Sequence, residues 1–280
     1  MKLLATRWRG VCAALGTMVI LCSCSSTSNA PQPGTPAFYW SAAKETWGLG
    51  DYAKAIDNLD KLSSDSEYAG RAQPWLLIVT SGLSQGYTDL AESYESGARI
   101  NKAEPLTFRR QANNYRNAAS RLALHFAEVY QDFQKGKEDS VTLALPYPSG
   151  SPNPVVTLAR VGNGILPPAN EMEMAQKRSL ERAVLLEACR AAGAPDDPAK
   201  TQELLKSGDA KVPRAVFVTA MARALYEASQ MYTSRKLDDP EKLKIFCSRA
   251  QEALKTVPES KETKDLNSKI AAALKQAKAG

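Results

Sequence analysis

"PLTFRRQANNYRNAASRLALHFAEVYQDF", Pro105 to Phe133, decides the class of the fold. Phe108, Ala112, Tyr115, Ala119, Leu122, Phe126, Val129 and Phe133 recur at alternating spacings of four and three. Side chains at those spacings share one helix face, so the run predicts a single helix, the longest in the chain, packed along its whole length. Pro105 suits its first position, where a missing N–H costs nothing. The other face carries Arg110, Asn114, Asn117, Arg121 and Glu128. Within "RRQANNYRN", Arg110 and Asn114 are candidate contacts for an anionic or glycan partner; a plain solvated helix face is the competing reading.

Working outward, the same periodicity recurs. "PWLLIVTSGLSQGYTDLAESYESGA", residues 74–98, puts Leu76, Val79, Leu83, Gly86, Leu90 and Tyr94 on one side, and Gly82 and Gly86 would let a neighbouring helix approach closely. "AFYWSAAKETWGLGDYAKAIDNLDKL", residues 37–62, reads as two short helices parted by Gly48 and Gly50, with Thr35-Pro36 as cap and first turn. After residue 170 come "NEMEMAQKRSLERAVLLEACRAAG", a small helix capped by Asp197-Pro198 and ended at Gly208, and three further helical runs. The last of these, with Leu266, Ile270 and Leu274 and many lysines, suits a polar-backed terminal helix. The class expected is all-α.

Residues 136–170 break the pattern. "SVTLALPYPSGSPNPVVTLARVGNGILPP" holds two β-prone runs, Val141–Leu145 and Val155–Leu158, around a Pro/Ser/Gly-rich turn region. Prolines 146, 148, 152 and 154 argue against a central strand, so a protruding β-hairpin or an irregular loop is expected, and the insert around Tyr147 is a candidate partner contact. The organisation read here is 1–23 as a signal, 24–35 as a flexible tether, 36–135 as an N-terminal helical region, 136–170 as an insert and 171–280 as a C-terminal helical region.

Catalytic chemistry finds little support. His125 is the one histidine, beside the seam, and reads as structural. No CxxC, HExxH or P-loop pattern occurs. No metal or cofactor is expected. Tyr39, Trp40 and Trp47 form an aromatic stripe that serves either partner contact or the core. Cys189 and Cys247 both sit on apolar helix stripes; they either pair as a disulfide in an oxidising compartment or stand as two free core thiols.

The N-terminus reads as an address. "MKLLATRWRG" carries Lys2, Arg7 and Arg9 as its only charges, and "VCAALGTMVILCS" follows, short for a membrane-spanning helix, with a retained helical anchor as the competing reading. A basic start, an apolar run and small residues make a secretory signal. Leu21-Cys22-Ser23-Cys24 resembles the lipobox of bacterial lipoproteins: leucine three before the cleavage point, a small residue one before, cysteine after. That resemblance implies cleavage before Cys24, acylation of Cys24 with palmitate-type chains, and membrane lipid as its partner. Ser25 and Ser26, with no aspartate, imply the outer membrane, facing the periplasm. Removing residues 1–23 leaves 257 of 280 residues and takes the formal charge from +6 to +3, which speaks against nucleic acid as a partner.

A second resemblance concerns the body of the chain. Tyr39 and Ala43, then "GDY" with Ala55, Ile56 and Leu59, resemble a tetratricopeptide repeat (TPR), and Ala250, Ala253, Leu254 and Pro258 resemble the end of another. The family's closing proline is missing after Leu62. The resemblance implies TPR-like helical hairpins that stack and present a surface to partner proteins. The expected function is a lipid-anchored, non-enzymatic scaffold or adaptor for unidentified envelope proteins. The alternatives are a ligand-binding component of a transport system, or a peptidoglycan lytic enzyme. The lytic family uses a glutamate followed by serine, as in Glu92-Ser93 or Glu95-Ser96, but its following Gly-rich, Gln-containing motif is absent here.

Overall fold

The computed structural model of the chain describes residues 31–65, 67–206 and 208–279. The signal segment, Cys24 and the tether up to residue 30 lie outside the described residues. Among the described residues, ten α-helices, one 3-10 turn (Gln230–Tyr232) and two short strands make up the regular structure.

Helix α1, Pro36–Gly48, begins as expected: Thr35 Oγ1 accepts from the Phe38 N–H at 3.3 Å, with proline at the first turn. A turn through Gly50, at φ +69°, leads to α2, Tyr52–Asp60, capped by Asp51, which accepts from the Lys54 N–H at 3.3 Å. Helix α3 spans Ala69–Ile100 and α4 spans Pro105–Phe133. At 32 residues α3 exceeds the 29 of α4, so the longest helix is not the one the sequence suggests. The α4 seam is filled: Phe108, Ala112, Ala119, Phe126, Val129 and Phe133 are buried, and Tyr115 and Leu122 half-buried.

Helix α3 organises the molecule. It packs against α2, α4, α5 (Val156–Gly162), α6 (Ala169–Ala191), α8 (Arg214–Ser229) and the strand β1 (Ser140–Leu143). Trp75, Leu77 and Ile78 are therefore as buried as Leu76 and Val79, which the one-sided stripe singles out. A helix apolar all round belongs at the centre of a core. Its buried hydroxyls are satisfied locally: Thr80 and Ser81 donate to the carbonyls of Leu76 and Leu77, and Ser84 donates to Ala119 O on α4 at 3.0 Å. Gly82 lets α6 close in. A Cβ there would lie 2.7 Å from Val184 Cα, inside any real contact distance.

The 136–170 segment corrects the sequence reading. It is not a protruding hairpin: residues 144–155 and 163–168 are irregular, as expected, but the segment also holds a strand that pairs elsewhere and a short helix. β1 pairs antiparallel with β2, Ala210–Pro213, in the register Val141↔Val212 and Leu143↔Ala210. Val141, Leu143 and Val212 face the core, which explains the alternation of burial along both strands. The partner strand is too short to announce itself in sequence. The second β-prone run is instead the helix α5, whose Val161 packs with Tyr94, Ala98, Phe108 and Ala112 in a small second core.

The C-terminal region follows its periodicity. Helix α7, Pro198–Leu205, starts at Asp197, which accepts from the Lys200 N–H at 2.9 Å. After α8, helix α9, Pro240–Lys255, starts at Asp239, which accepts from the Lys242 N–H at 3.0 Å. Helix α10, Lys261–Ala279, buries Leu266 and Ile270 against α9. The pairs α1–α2 and α9–α10 pack as sequence neighbours. Between them the contacts of α3 with α6 and α8 join distant parts of the chain around one core, unlike a stack in which each unit touches only the next.

Candidate functional site

The candidate contact residues separate on inspection. Trp47 is buried, its indole N–H donating to Pro146 O at 3.0 Å and its ring edge-on to Trp75 at 4.5 Å between centroids. Trp40 is buried as well. These two belong to the core, which corrects their reading as contact residues. Tyr39 is half-buried with the Lys61 ammonium 4.5 Å above its ring, and Tyr147 is half-buried against the main core. Arg110 and Asn114 are exposed on α4.

Cys189 and Cys247 are not joined. Both are buried free thiols, and Cys247 Sγ lies 3.4 Å from Ser229 Oγ. Burial pushes both thiols above their ordinary value, keeping them protonated and unreactive. The free-thiol alternative is the one the fold adopts.

Other residues weighed for chemistry are held by neighbours. Glu95 pairs with Arg99 at 2.9 Å and Arg116 at 2.7 Å, and Glu92 with Lys236 at 2.6 Å. His125 Nε2 is 2.9 Å from Asp60 Oδ1, tying α4 to α2, and that hydrogen bond raises the imidazole above its ordinary value. Gly82-Leu83-Ser84-Gln85-Gly86 spells the G-x-S-x-G of hydrolase nucleophile turns, a match the motif reading missed. Here it lies mid-helix, with Ser84 buried and its proton on Ala119 O, not on a strand-to-helix turn. Among the described residues, no group of three or more His, Cys, Asp or Glu is placed to hold a metal ion.

The α3–α6 ridge is flanked by two open clefts. One, about 280 Å³, lies between the α1–α2 turn and α6, and is lined by Tyr52, Leu83, Tyr87, Lys177, Leu180 and Glu181. The other, about 420 Å³, lies towards α5, with Asp89, Glu92, Arg182, Pro154 and Leu158 on its walls. Between them, Gly82 and Gly86 let α6 sit close against α3: an added Cβ would lie 2.7 Å from Val184 Cα at residue 82 and 3.0 Å from Leu180 Cδ2 at residue 86. A third cleft of about 370 Å³ runs between α6, α8 and α10, and holds Arg190, Thr219, Arg223, Glu262 and Thr263.

Beneath that third cleft lies a charged group unforeseen in the sequence. Arg190 Nη1 is 2.8 Å from Glu227 Oε2 and 3.2 Å from Glu187 Oε2. Glu187 is only 3 % exposed, its Oε1 has no hydrogen-bond partner, and burial pushes its carboxyl up to about 7. The available signal was an acid inside the apolar run "AVLLEACRAA", three residues before an arginine.

By class, then, the chain is a mostly helical protein with a central buried helix and open surface clefts. Comparison with protein families, curated proteins and solved structures returns no match. Among the described residues, no helix is long and apolar enough to cross a membrane.

Proposed function

We propose that this protein is a lipid-anchored scaffold or adaptor of a bacterial cell envelope. Acylated Cys24 attaches it to the outer membrane, and its helical body faces the periplasm. The lipobox-like Leu21-Cys22-Ser23-Cys24 supports the anchor, and the first helix of the body begins at Pro36, twelve residues after Cys24. Paired helices at both ends, α1–α2 and α9–α10, suit the TPR-like reading.

The observation that carries the reading is where the space lies. The α4 seam and the surroundings of α3 are filled by their own side chains, while the larger clefts are open and lined by charged and polar groups interleaved with apolar ones. A carrier of small apolar ligands needs an enclosed apolar pocket, typically about 300 Å³ or more. Open, mixed clefts fit a partner's surface or an extended peptide instead. The binding surface proposed is the cleft between the α1–α2 turn and α6, whose rim carries Glu173 and Lys177.

Deleting residues 137–168 is not a clean test, because it removes β1, α5 and the buried Leu143 and Leu145. Charge reversal at the cleft rim is. With Lys177→Glu and Glu173→Lys together, pull-downs from detergent-solubilised envelopes are expected to lose a discrete partner while the melting temperature stays put. An unchanged partner set from a normally folded variant would remove this cleft from consideration.

A further inference from the structure

Four helices converge on one small enclosed space. Its walls include Ser81, Ser84 and Thr88 of α3, Phe126 of α4, Glu187 of α6 and Glu227 of α8. It measures about 10 Å³, which accommodates roughly one water-sized group. The three hydroxyls have already given their protons away: Ser81 to Leu77 O, Ser84 to Ala119 O at 3.0 Å, and Thr88 to Ser84 O at 2.9 Å. What they turn to the space is lone pairs. The Gln85 amide, also on the wall, is engaged by Asp89 at 2.7 Å.

Glu187 Oε1 therefore sits without a partner among acceptors. An ionised carboxylate oxygen gains nothing from such walls, whereas a carboxylic acid can donate to them. The surrounding charges point the same way. On its own helix Glu187 has one cation, Arg190, which it shares with Glu227 of α8. Arg223 of α8 lies farther off and pairs with Glu262 at 2.7 Å. α3 contributes Asp89, a half-buried carboxyl that burial also pushes upward, and α4 presents the Phe126 ring. Two carboxylates on one guanidinium leave an excess negative charge beside the buried Glu187, and a proton removes it.

We propose that Glu187 is a proton-operated latch: protonated, it closes the junction of α3, α6 and α8; ionised, it loosens that junction and draws Arg190 away from the α6–α8–α10 cleft. Arg190 lines that cleft, so the buried titration reaches the surface. This inference does not depend on the scaffold reading. The direction of the linkage follows from the proton count. Glu187 titrates about 7 when folded, above its ordinary 4.5, so between those values the folded chain holds the extra proton. The contribution of Glu187 to stability is greatest below the lower value and is lost as pH rises through the upper one.

Urea unfolding of the full-length chain across this range tests the latch. From about pH 5 to about pH 8, the unfolding constant of wild type is expected to rise on the order of a hundredfold more than that of Glu187→Gln. His125, raised by Asp60, also favours the folded state at low pH, and taking the difference between the two chains cancels it. In wild type, amide exchange over residues 81–88, corrected for its intrinsic pH dependence, should quicken with ionisation; in Glu187→Gln it should not. Should that variant fail to fold, carboxyl-carbon NMR of wild type reads the site directly, as one glutamate titrating near neutrality and moving to its ordinary range in urea. Equal pH slopes in the two chains, or no folded-state glutamate titrating above about pH 6, would overturn the proposal.

Discussion

Replacing Trp47 with alanine is expected to lower the unfolding free energy by about 4 kcal/mol, because a fully buried indole leaves a cavity its neighbours cannot fill. Three separate contacts are lost. The ring packs edge-on to Trp75 at 4.5 Å and to Tyr52 at 5.1 Å, and its N–H satisfies Pro146 O at 3.0 Å. The last of these ties α1 to the segment that follows β1, a link across 99 residues of sequence. At this chain length the loss corresponds to a drop in melting temperature of roughly 10 °C. Trp47→Phe should recover much of it by restoring ring packing, while still leaving the carbonyl unpaired. The readout is the melting temperature followed by circular dichroism. A shift for Trp47→Ala of only a degree or two would place the indole at the surface and reopen its role as a contact residue.

The second large effect is expected at Gly82. An added Cβ would stand 2.7 Å from Val184 Cα and 3.1 Å from Val184 N, so two helix backbones must separate. Alanine gains about 1 kcal/mol of helix propensity over glycine. Overpacking of this kind costs about 1–3 kcal/mol, and the opposing atoms here are backbone, which cannot turn aside. The net expected for Gly82→Ala is destabilisation by about 1–2 kcal/mol, and for the bulkier, β-branched Gly82→Val more than about 3 kcal/mol. Gly70, on the same helix with nothing within 4 Å of its Cβ position, is the matched control. Gly70→Ala should be neutral or slightly stabilising. Thermal melts of the four chains should therefore rank Gly70→Ala at or above wild type, then Gly82→Ala, then Gly82→Val. Equal tolerance at residues 70 and 82 would mean that α6 does not sit on α3 as described.

These two sites also show what the sequence could and could not reveal. The α4 seam was legible because spacings of four and three over twenty-six residues have one physical explanation, and two helix starts were legible because Thr35 and Asp197 carry capping oxygens just before a proline and a helical run. The central place of α3 was harder to see. Serines, threonines and glycines lie between its apolar residues and look like a polar face, yet Thr80, Ser81 and Ser84 satisfy their hydroxyls on carbonyls and are buried. Pairing of β1 with β2 depends on contacts some seventy residues apart, beyond local pattern. The candidate site was read with less success. Trp40 and Trp47 belong to the core, while Tyr52, Leu83, Tyr87 and Leu180 form a cleft that only tertiary packing assembles. Glu187 was masked for a related reason: an acid in a helix normally signals the solvent side, and its burial depends on Arg190 and Glu227 being brought to it by folding.

The scaffold reading needs the chain to be held at a membrane through Cys24. Mass analysis of the N-terminal peptide, taken from cells fractionated into membrane and soluble pools, tests this most directly. Expected for wild type is a mature chain beginning at Cys24, carrying the added mass of acyl chains and confined to the outer-membrane pool, with Cys24→Ser soluble or unprocessed. An unmodified Cys24, or a Cys24→Ser chain that fractionates and matures like wild type, would contradict it.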